Sequence, residues 1–170
     1  MNGSITSKSL VEKFNLLPHP EGGFFKENYR SLEIMPQSSL PKRFHGDRHY
    51  STAIYFLLEQ GNFSAFHKIN SDECWHFYAG GSLLIYLIHL NGKLEIIKLG
   101  NNLNEGEQFQ AVVPAECWFA SEPASNSVYS FVGCTVAPGF DFNDFELAKA
   151  IDLSKHYPQH QLLINRLTRQ

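Results

Sequence analysis

Two histidines and a glutamate lie close together in residues 61–81, which read GNFSAFHKINSDECWHFYAGG. A carboxylate within hydrogen-bonding reach of an imidazole raises the imidazole pKa and fixes its tautomer, so the pair can exchange protons near neutral pH. Three such side chains gathered at one point can instead hold a transition-metal ion. The segment therefore indicates an acid/base site or a metal site, with a packed hairpin as the alternative that needs no chemistry.

Short β-type runs separated by Gly, Asn, Asp and Pro surround this segment. Between residues 51 and 135 they recur about every 8–12 residues, which is typical of an antiparallel sandwich or barrel. The dipeptide Asn91-Gly92 predicts a hairpin over residues 83–99 with a type I′ turn. A further strand is predicted over 23–30, and residues 33–50 are predicted to form a long loop.

Helical patterns flank the β-type region on both sides. Residues 7–16 predict a short helix capped by Ser7 or Ser9. Near the other end, Asn143 or Asp144 would cap a second helix, and a last helix would begin near Pro158. The sequence thus predicts one domain over 1–170, with a β core at about 20–137 and a helical C-terminal segment at about 141–168.

Composition argues against several classes of partner. The 14 Lys and Arg residues are scattered and are outnumbered by 17 Asp and Glu, so nucleic acid is not expected as a partner. The longest apolar run, at 83–88, is far shorter than the roughly 20 residues that cross a bilayer, so no membrane is expected either. Three cysteines without paired spacing suit reduced thiols and predict a cytoplasmic protein.

The spacing of Gly61, His67, Glu73 and Gly80 resembles the first motif of the cupin superfamily, except that Ile69 stands where that motif has its second histidine. Further stretches resemble a small, uncharacterised branch of these domain-of-unknown-function cupins. They are HPEGGFF at 19–25, STAIYFLL at 51–58, HKINSDECWHFYAG at 67–80, VPAECWF at 113–119, PGFDFNDFELA at 138–148 and YPQH at 157–160. The resemblance implies an all-β, cupin-type double-stranded β-helix, or jelly roll, with short N- and C-terminal helices, assembled as a homodimer.

Metal-binding cupins present three His and one Glu, and in this chain Ile69 and Phe119 replace two of those histidines. No metal cofactor is therefore predicted. A weaker alternative is a divalent ion held by His67, Glu73 and His76. Because successive side chains of a strand point to opposite faces, His76 would join the other two only if a β-bulge turned it inward.

The placement of the His/Glu pair resembles that in jelly-roll sugar-nucleotide epimerases. It implies an isomerase-like or epimerase-like enzyme that acts by proton transfer on a small polar or sugar-like ligand, with His67 as the base and Glu73 orienting it. Glu21, Phe25 and Tyr29 are predicted at the barrel mouth, and Trp75, Phe77 and Trp118 as aromatic walls of the ligand site. Two alternatives remain open: a non-catalytic binding or sensing module, and a metal-dependent cupin oxygenase or isomerase.

Overall fold

The computed structural model describes residues 5–169, and two antiparallel sheets facing each other dominate it. The larger has the strand order β1-β2-β5-β12-β7-β10 and the smaller β13-β6-β11-β8-β9, while β3 and β4 pair by themselves. The strands are β1 (Leu17–Pro18), β2 (Phe24–Arg30), β3 (Ile34–Met35), β4 (Arg48–His49), β5 (Thr52–Glu59), β6 (Ser64–Lys68), β7 (Asp72–Gly80), β8 (Leu83–Ile88), β9 (Leu94–Leu99), β10 (Gln110–Val113), β11 (Trp118–Pro123), β12 (Tyr129–Ala137) and β13 (Glu146–Leu147). The predicted all-β jelly roll is confirmed.

Alternating apolar residues build the core between the two sheets. Along β7, Glu73 and Trp75 are buried, whereas Cys74 and His76 are partly exposed, as expected for a strand with one face inward. Trp75 meets Phe56 of the same sheet and Phe119 of the facing sheet edge to face, with ring centroids 5.9 and 6.2 Å apart. These rings fill the middle of the sandwich.

Short helices cover the outer faces of the sheets. Helix α1 (Ser7–Phe14) packs on the larger sheet, and α2 (Ala150–His156) and α3 (Gln161–Arg166) pack on the smaller. The N-cap of α1 is Thr6, which exchanges hydrogen bonds with Ser9 in a capping box. Short 3-10 helices span Gln37–Ser39, Leu103–Glu105, Phe142–Asp144 and Pro158–His160. Across residues 5–169, no helix combines the length and apolar character needed to cross a membrane.

Three local predictions are wrong. The cap of α1 is Thr6 and not Ser7 or Ser9. The 83–99 hairpin forms, but its connection is a turn from His89 to Gly92 in which Gly92 alone has a positive φ, of 80°, so the turn is not type I′. Three-residue hairpin loops commonly place a left-handed glycine in this way. The second helix begins at Ala150, not near Asn143, because the chain first forms a 3-10 turn and the short strand β13 against β6.

Candidate functional site

A cavity of about 440 Å³ lies between the sheets. Side chains from the turn before β2, from six strands, from the residue after the end of β6 and from the segment after β12 line it. The lining residues are His19, Glu21, Phe25, Glu27, Arg30, His49, Thr52, Ile54, His67, Ile69, Glu73, Cys134, Val136, Phe140, Asp141, Phe142 and Phe145. Apolar walls with a few convergent polar groups are the usual form of a small-molecule site.

His67 projects from β6 into this cavity and is held from both sides. Its Nδ1 lies 2.7 Å from the backbone oxygen of Ala65, and its Nε2 lies 3.0 Å from Oε2 of Glu21. Because a carbonyl oxygen only accepts hydrogen bonds, Nδ1 carries the donated proton. Nε2 is therefore the nitrogen that exchanges a proton with the Glu21 carboxyl.

Glu21 reaches His67 because the turn that precedes β2 is tied to β6. The backbone oxygen of Glu21 accepts hydrogen bonds from the backbone N–H of Ala65 and from Nε of Arg169, both at 2.9 Å. Gly22 follows with a φ of 120°, and a Cβ there would overlap the backbone oxygen of Phe63. A glycine is thus required for the turn to approach β6 this closely.

Burial holds His67 and His19 in their neutral form. Desolvation lowers the pKa of His67 to about 3 and that of His19 to about 4. Desolvation also raises the pKa of Glu21 well above its ordinary value, and the charge of Glu73 raises it further. With both partners neutral, the contact between Glu21 and His67 is a carboxylic acid donating its proton to Nε2.

Glu73 is the second carboxyl of the cavity. It is buried on β7, and burial raises its pKa to about 7, while a hydrogen bond with the Cys134 thiol acts in the opposite direction. The pKa of Cys134 is itself raised, first by burial and then by the Glu73 charge, so the thiol stays protonated and can donate. Glu73 is consequently a lining group whose charge changes near neutral pH.

The comparisons with known proteins agree with this architecture. A model of the cupin superfamily (DUF985) matches residues 8–148. The chain belongs to the cupin superfamily. An uncharacterized protein of Saccharomyces cerevisiae is 32% identical over 158 residues, which cover 88% of this cupin and 78% of the yeast protein. Solved structures of a hypothetical protein from Leishmania major (30% identity, TM-score 0.90) and of protein SO0799 from Shewanella oneidensis (38% identity, TM-score 0.86) each match 98% of this cupin; the match covers 100% and 99% of those chains.

The residues of this cupin do not fit the metal set that the superfamily suggests. Ile69 lines the cavity where a second histidine would stand, and Phe119 packs its ring 4.0 Å from that of His67. Within residues 5–169, no group of three or more His, Cys, Asp or Glu side chains has a geometry that could hold a metal ion. His76 does not join the cavity: its Nε2 contacts Thr135 Oγ1 at 3.0 Å, and its Nδ1 accepts from Gln110 at 3.0 Å.

The structure gives His67 a carboxyl partner other than the predicted one. Glu73 was expected to orient the imidazole, but the carboxyl in contact with His67 is that of Glu21, and the oxygen of Ala65 fixes the ring. The motif spacing pointed to Glu73 because both residues lie on inward faces of neighbouring segments. The contact with Glu21 depends on a turn from a distant part of the chain, which spacing does not reveal.

The predicted ligand-binding residues separate into two groups. Glu21 and Phe25 line the cavity as expected. Tyr29 does not, because the register of β2 shifts between Glu27 and Tyr29, which leaves Tyr29 53% exposed and brings Arg30 to the cavity instead.

The three predicted aromatic walls also lie elsewhere. Trp75 is fully buried in the core, and Phe77 packs against the same cluster. Neither residue is among those that line the cavity. Trp118 faces outward because its neighbour Phe119 points inward, and Nζ of Lys68 lies 4.8 Å from the centroid of its ring. The cavity walls are instead Phe25, Phe140, Phe142 and Phe145.

Sequence reasoning missed His19, Arg30 and Cys134 as lining residues. The first had a signal, since His19 precedes Glu21 by two residues in the HPEGGFF stretch. The phenylalanines of PGFDFNDFELA also had one, because three aromatic rings on an irregular segment need a surface to cover. Arg30 had none, because a bulge places it.

Proposed function

We propose that this cupin binds a small polar molecule in its cavity and moves a proton on it, as an isomerase-like or epimerase-like enzyme. One observation carries the proposal: Glu73, a buried carboxyl with a pKa of about 7, faces the same cavity as the Glu21–His67 pair. A catalytic acid and a catalytic base that act together are often two titratable residues whose environments move their pKa values apart.

Glu73 is assigned the role of proton acceptor. A general base works best when its pKa lies near the working pH, because it is then ionised and still basic enough to remove a proton. Its partner is the thiol of Cys134, a weak donor that leaves most of the carboxylate free for a ligand. In this assignment Glu73 takes the role that the sequence pattern gave to His67.

The Glu21–His67 pair is assigned the role of proton donor. Its single shared proton lies between Oε2 and Nε2, 3.0 Å apart, in a site with almost no solvent contact. A carboxylic acid kept neutral by burial can donate a hydrogen bond to an oxygen on which negative charge develops. His67 holds that proton in place, and the pair recovers a proton when the enol returns to the carbonyl form.

The two roles describe a balanced enolisation. Glu73 takes the proton from a carbon next to a carbonyl, and the released C–H electron pair forms the C=C bond. The carbonyl π electrons move to the oxygen, which receives the proton of the Glu21–His67 pair. Glu73 then returns its proton to either carbon while the Glu21–His67 pair takes a proton back from the enediol oxygen on the other carbon, which gives the starting compound, its epimer or its isomer, so no oxidant or reductant is needed.

Exchange of solvent deuterium into candidate ketoses and aldoses tests this assignment. Wild-type protein should catalyse exchange at the carbon next to the carbonyl, and Glu73→Gln and Glu21→Gln should each lower the rate about 100-fold or more. Glu95→Gln is the matched control, because Glu95 contacts His89 at 2.7 Å in an exposed Glu–His pair. A ligand that binds the cavity with no exchange by the wild type would favour the binding or sensing module instead.

Two wider proposals concern assembly and compartment. We retain the homodimer that the superfamily resemblance implies, and light scattering tests it: a species of one chain, 19.3 kDa, would contradict it. We also retain a cytoplasmic location, which Cys74, Cys117 and Cys134 support as free thiols.

A further inference from the structure

We propose that the cavity selects an uncharged ligand bearing hydroxyl or carbonyl groups and discriminates against phosphorylated, carboxylated and amino forms of the same compound. The inference rests on the proposed function in one respect: it names the class of substrate for the same cavity. The supporting observation is that most charged groups lining the cavity already have hydrogen-bond or ion-pair partners within the protein.

The cavity offers no free cation to an anionic ligand. Among the described lining residues, Arg30 is the single Arg or Lys, and its fork is closed by Glu27, with Nε–Oε1 at 2.9 Å and Nη2–Oε2 at 2.6 Å. Its Nη1 donates to the backbone oxygen of Phe140 at 3.2 Å. A phosphate or carboxylate would have to compete with Glu27 for a guanidinium that is already held in a bidentate, partly exposed pair.

The histidines do not replace that cation. His67 donates Nδ1–H to Ala65, and its Nε2 accepts from Glu21. His19 accepts at Nδ1 from the backbone N–H of Glu21 at 3.3 Å, and His49 donates Nδ1–H to the oxygen of Ser31 at 2.6 Å. An anionic group inside the cavity would instead meet the carboxyl of Glu73, and once that carboxyl is ionised like charges would face each other across a poorly solvated space.

An ammonium group is also poorly served. Among the described lining carboxyls, Glu21 shares a proton with His67, Glu27 is held by Arg30 and Asp141 accepts from the backbone N–H of Asn143, which leaves the buried Glu73 to pair with it. An ion pair there would need a desolvated ammonium among phenyl rings and would hold Glu73 away from its role as a base. Hydroxyl and carbonyl groups avoid both costs, since a hydroxyl can donate to Glu73 and a hydroxyl or carbonyl oxygen can accept from the Glu21–His67 pair.

Fragments with one scaffold and different charges test the selection without turnover. Benzyl alcohol, benzoate and benzylamine are compared by saturation-transfer NMR and by titration. Two separate cavity-filling variants, Ile54→Phe and Val136→Phe, assign the signal to the cavity, because both side chains line it. Circular dichroism melting shows that each variant is folded.

The expected result is binding of benzyl alcohol that at least one folded, cavity-filling variant removes, with benzoate and benzylamine at least about tenfold weaker. Charged fragments that bind the cavity as tightly as the alcohol, or a set with no cavity-dependent binding, would overturn the proposal. Because the fragments undergo no reaction, their binding tests the selection for uncharged ligands independently of deuterium exchange. Either proposal can therefore be contradicted while the other is supported.

A gain of anion binding tests the part assigned to Arg30. Glu27→Gln opens the guanidinium fork, so the affinity for benzoate relative to benzyl alcohol should rise about tenfold. Glu33→Gln is the charge-matched control, because it removes one exposed carboxylate without releasing Arg30. An equal rise in both variants, or none in Glu27→Gln, would show that the closed fork does not set the selection.

Discussion

Oε2 of Glu21 lies 3.0 Å from Nε2 of His67, while Nδ1 of the same ring donates to the backbone oxygen of Ala65 at 2.7 Å. The second contact fixes which nitrogen carries the ring proton, so the first contact contains one proton shared between an imidazole and a carboxyl. Both side chains are buried, which disfavours their charged forms. The pair is therefore a neutral, fully oriented proton donor at the wall of the cavity.

Two replacements of Glu21 distinguish the hydrogen bond that its side chain donates from the acidic proton that it carries. Glu21→Gln should keep the free energy of unfolding within about 1 kcal/mol of wild type, because the amide N–H can still donate to Nε2 of His67. Glu21→Ala should lower it by about 2–4 kcal/mol, because it leaves a buried acceptor unpaired and a space unfilled. Urea unfolding measures both, and Glu95→Ala, in the exposed His89–Glu95 pair, should change stability by less than about 1 kcal/mol. Equal losses for the Gln and Ala variants of Glu21 would contradict the donor assignment.

The raised pKa of Glu73 makes stability depend on pH with a definite sign. Since its pKa is about 7 in the folded protein and 4.5 ordinarily, the folded state binds more protons between those values, and its contribution is lost as pH rises through 7. Relative to Glu73→Gln, the wild type should lose roughly 3 kcal/mol of unfolding free energy between pH 4.5 and 8. His19 and His67 act with the opposite sign below pH 6.5, because their pKa values are lowered, but they are present in both proteins.

Urea unfolding at a series of pH values measures this difference. Glu21 titrates in the same direction as Glu73, and its pKa is raised in part by the Glu73 charge, so the two carboxyls contribute together. A difference between wild type and Glu73→Gln that stays constant from pH 4.5 to 8 would show that Glu73 is not held near neutrality.

The sequence was informative wherever strand periodicity decides the outcome. Alternation along β7 placed Glu73 and Trp75 inward and His76 outward, and the structure has them so. The motif spacing also placed His67 and Ile69 at one site, where both line the cavity. These features follow from local geometry, which a linear pattern can express.

Irregular geometry explains what could not be predicted. Because of the register shift in β2, Arg30 lines the cavity where Tyr29 was predicted. Gly22 allows the turn that contains Glu21 to approach β6, which is far away in sequence. The segment after β12 had helical periodicity, but Phe142 and Phe145 line the cavity and the helix starts only at Ala150. Long-range contacts compete with local propensity at such points, and they are concentrated at this site. The extent of the domain, 1–170, stays a prediction.

Substitutions at two glycines distinguish the cost of a steric overlap from the cost of a left-handed backbone conformation. Gly22→Ala should lower the free energy of unfolding by about 3 kcal/mol or more, because its Cβ would overlap the oxygen of Phe63 and its φ is 120°. Gly61→Ala should cost only about 1 kcal/mol, since its φ of 82° is left-handed but no atom lies within 4 Å of the added Cβ. Urea unfolding compares the two variants. Equal costs would mean that close packing of the turn on β6 does not stabilise the site.

The buried ion pair of Arg48 and Asp144 joins the long loop before β5 to the segment that covers the cavity. Nε and Nη2 of Arg48 donate to the Asp144 carboxylate at 2.6 and 2.7 Å, and both side chains are 3% exposed. Asp144→Leu should lower the free energy of unfolding by about 3–5 kcal/mol, because it leaves a buried guanidinium uncompensated. The double variant Arg48→Met/Asp144→Leu should recover most of that loss, since no charge then stays buried.

Urea unfolding of the single and double variants measures this coupling. Arg166→Met is the control, because Arg166 contacts Glu122 at 2.6 Å but is half exposed, so its loss should cost no more than about 1 kcal/mol. The segment held by Asp144 also carries Phe142 and Phe145, so Asp144→Leu should weaken binding of cavity ligands while the double variant restores part of it. A double variant that is as unstable as the single one would show that the cost lies in lost packing of the loop and not in an uncompensated charge.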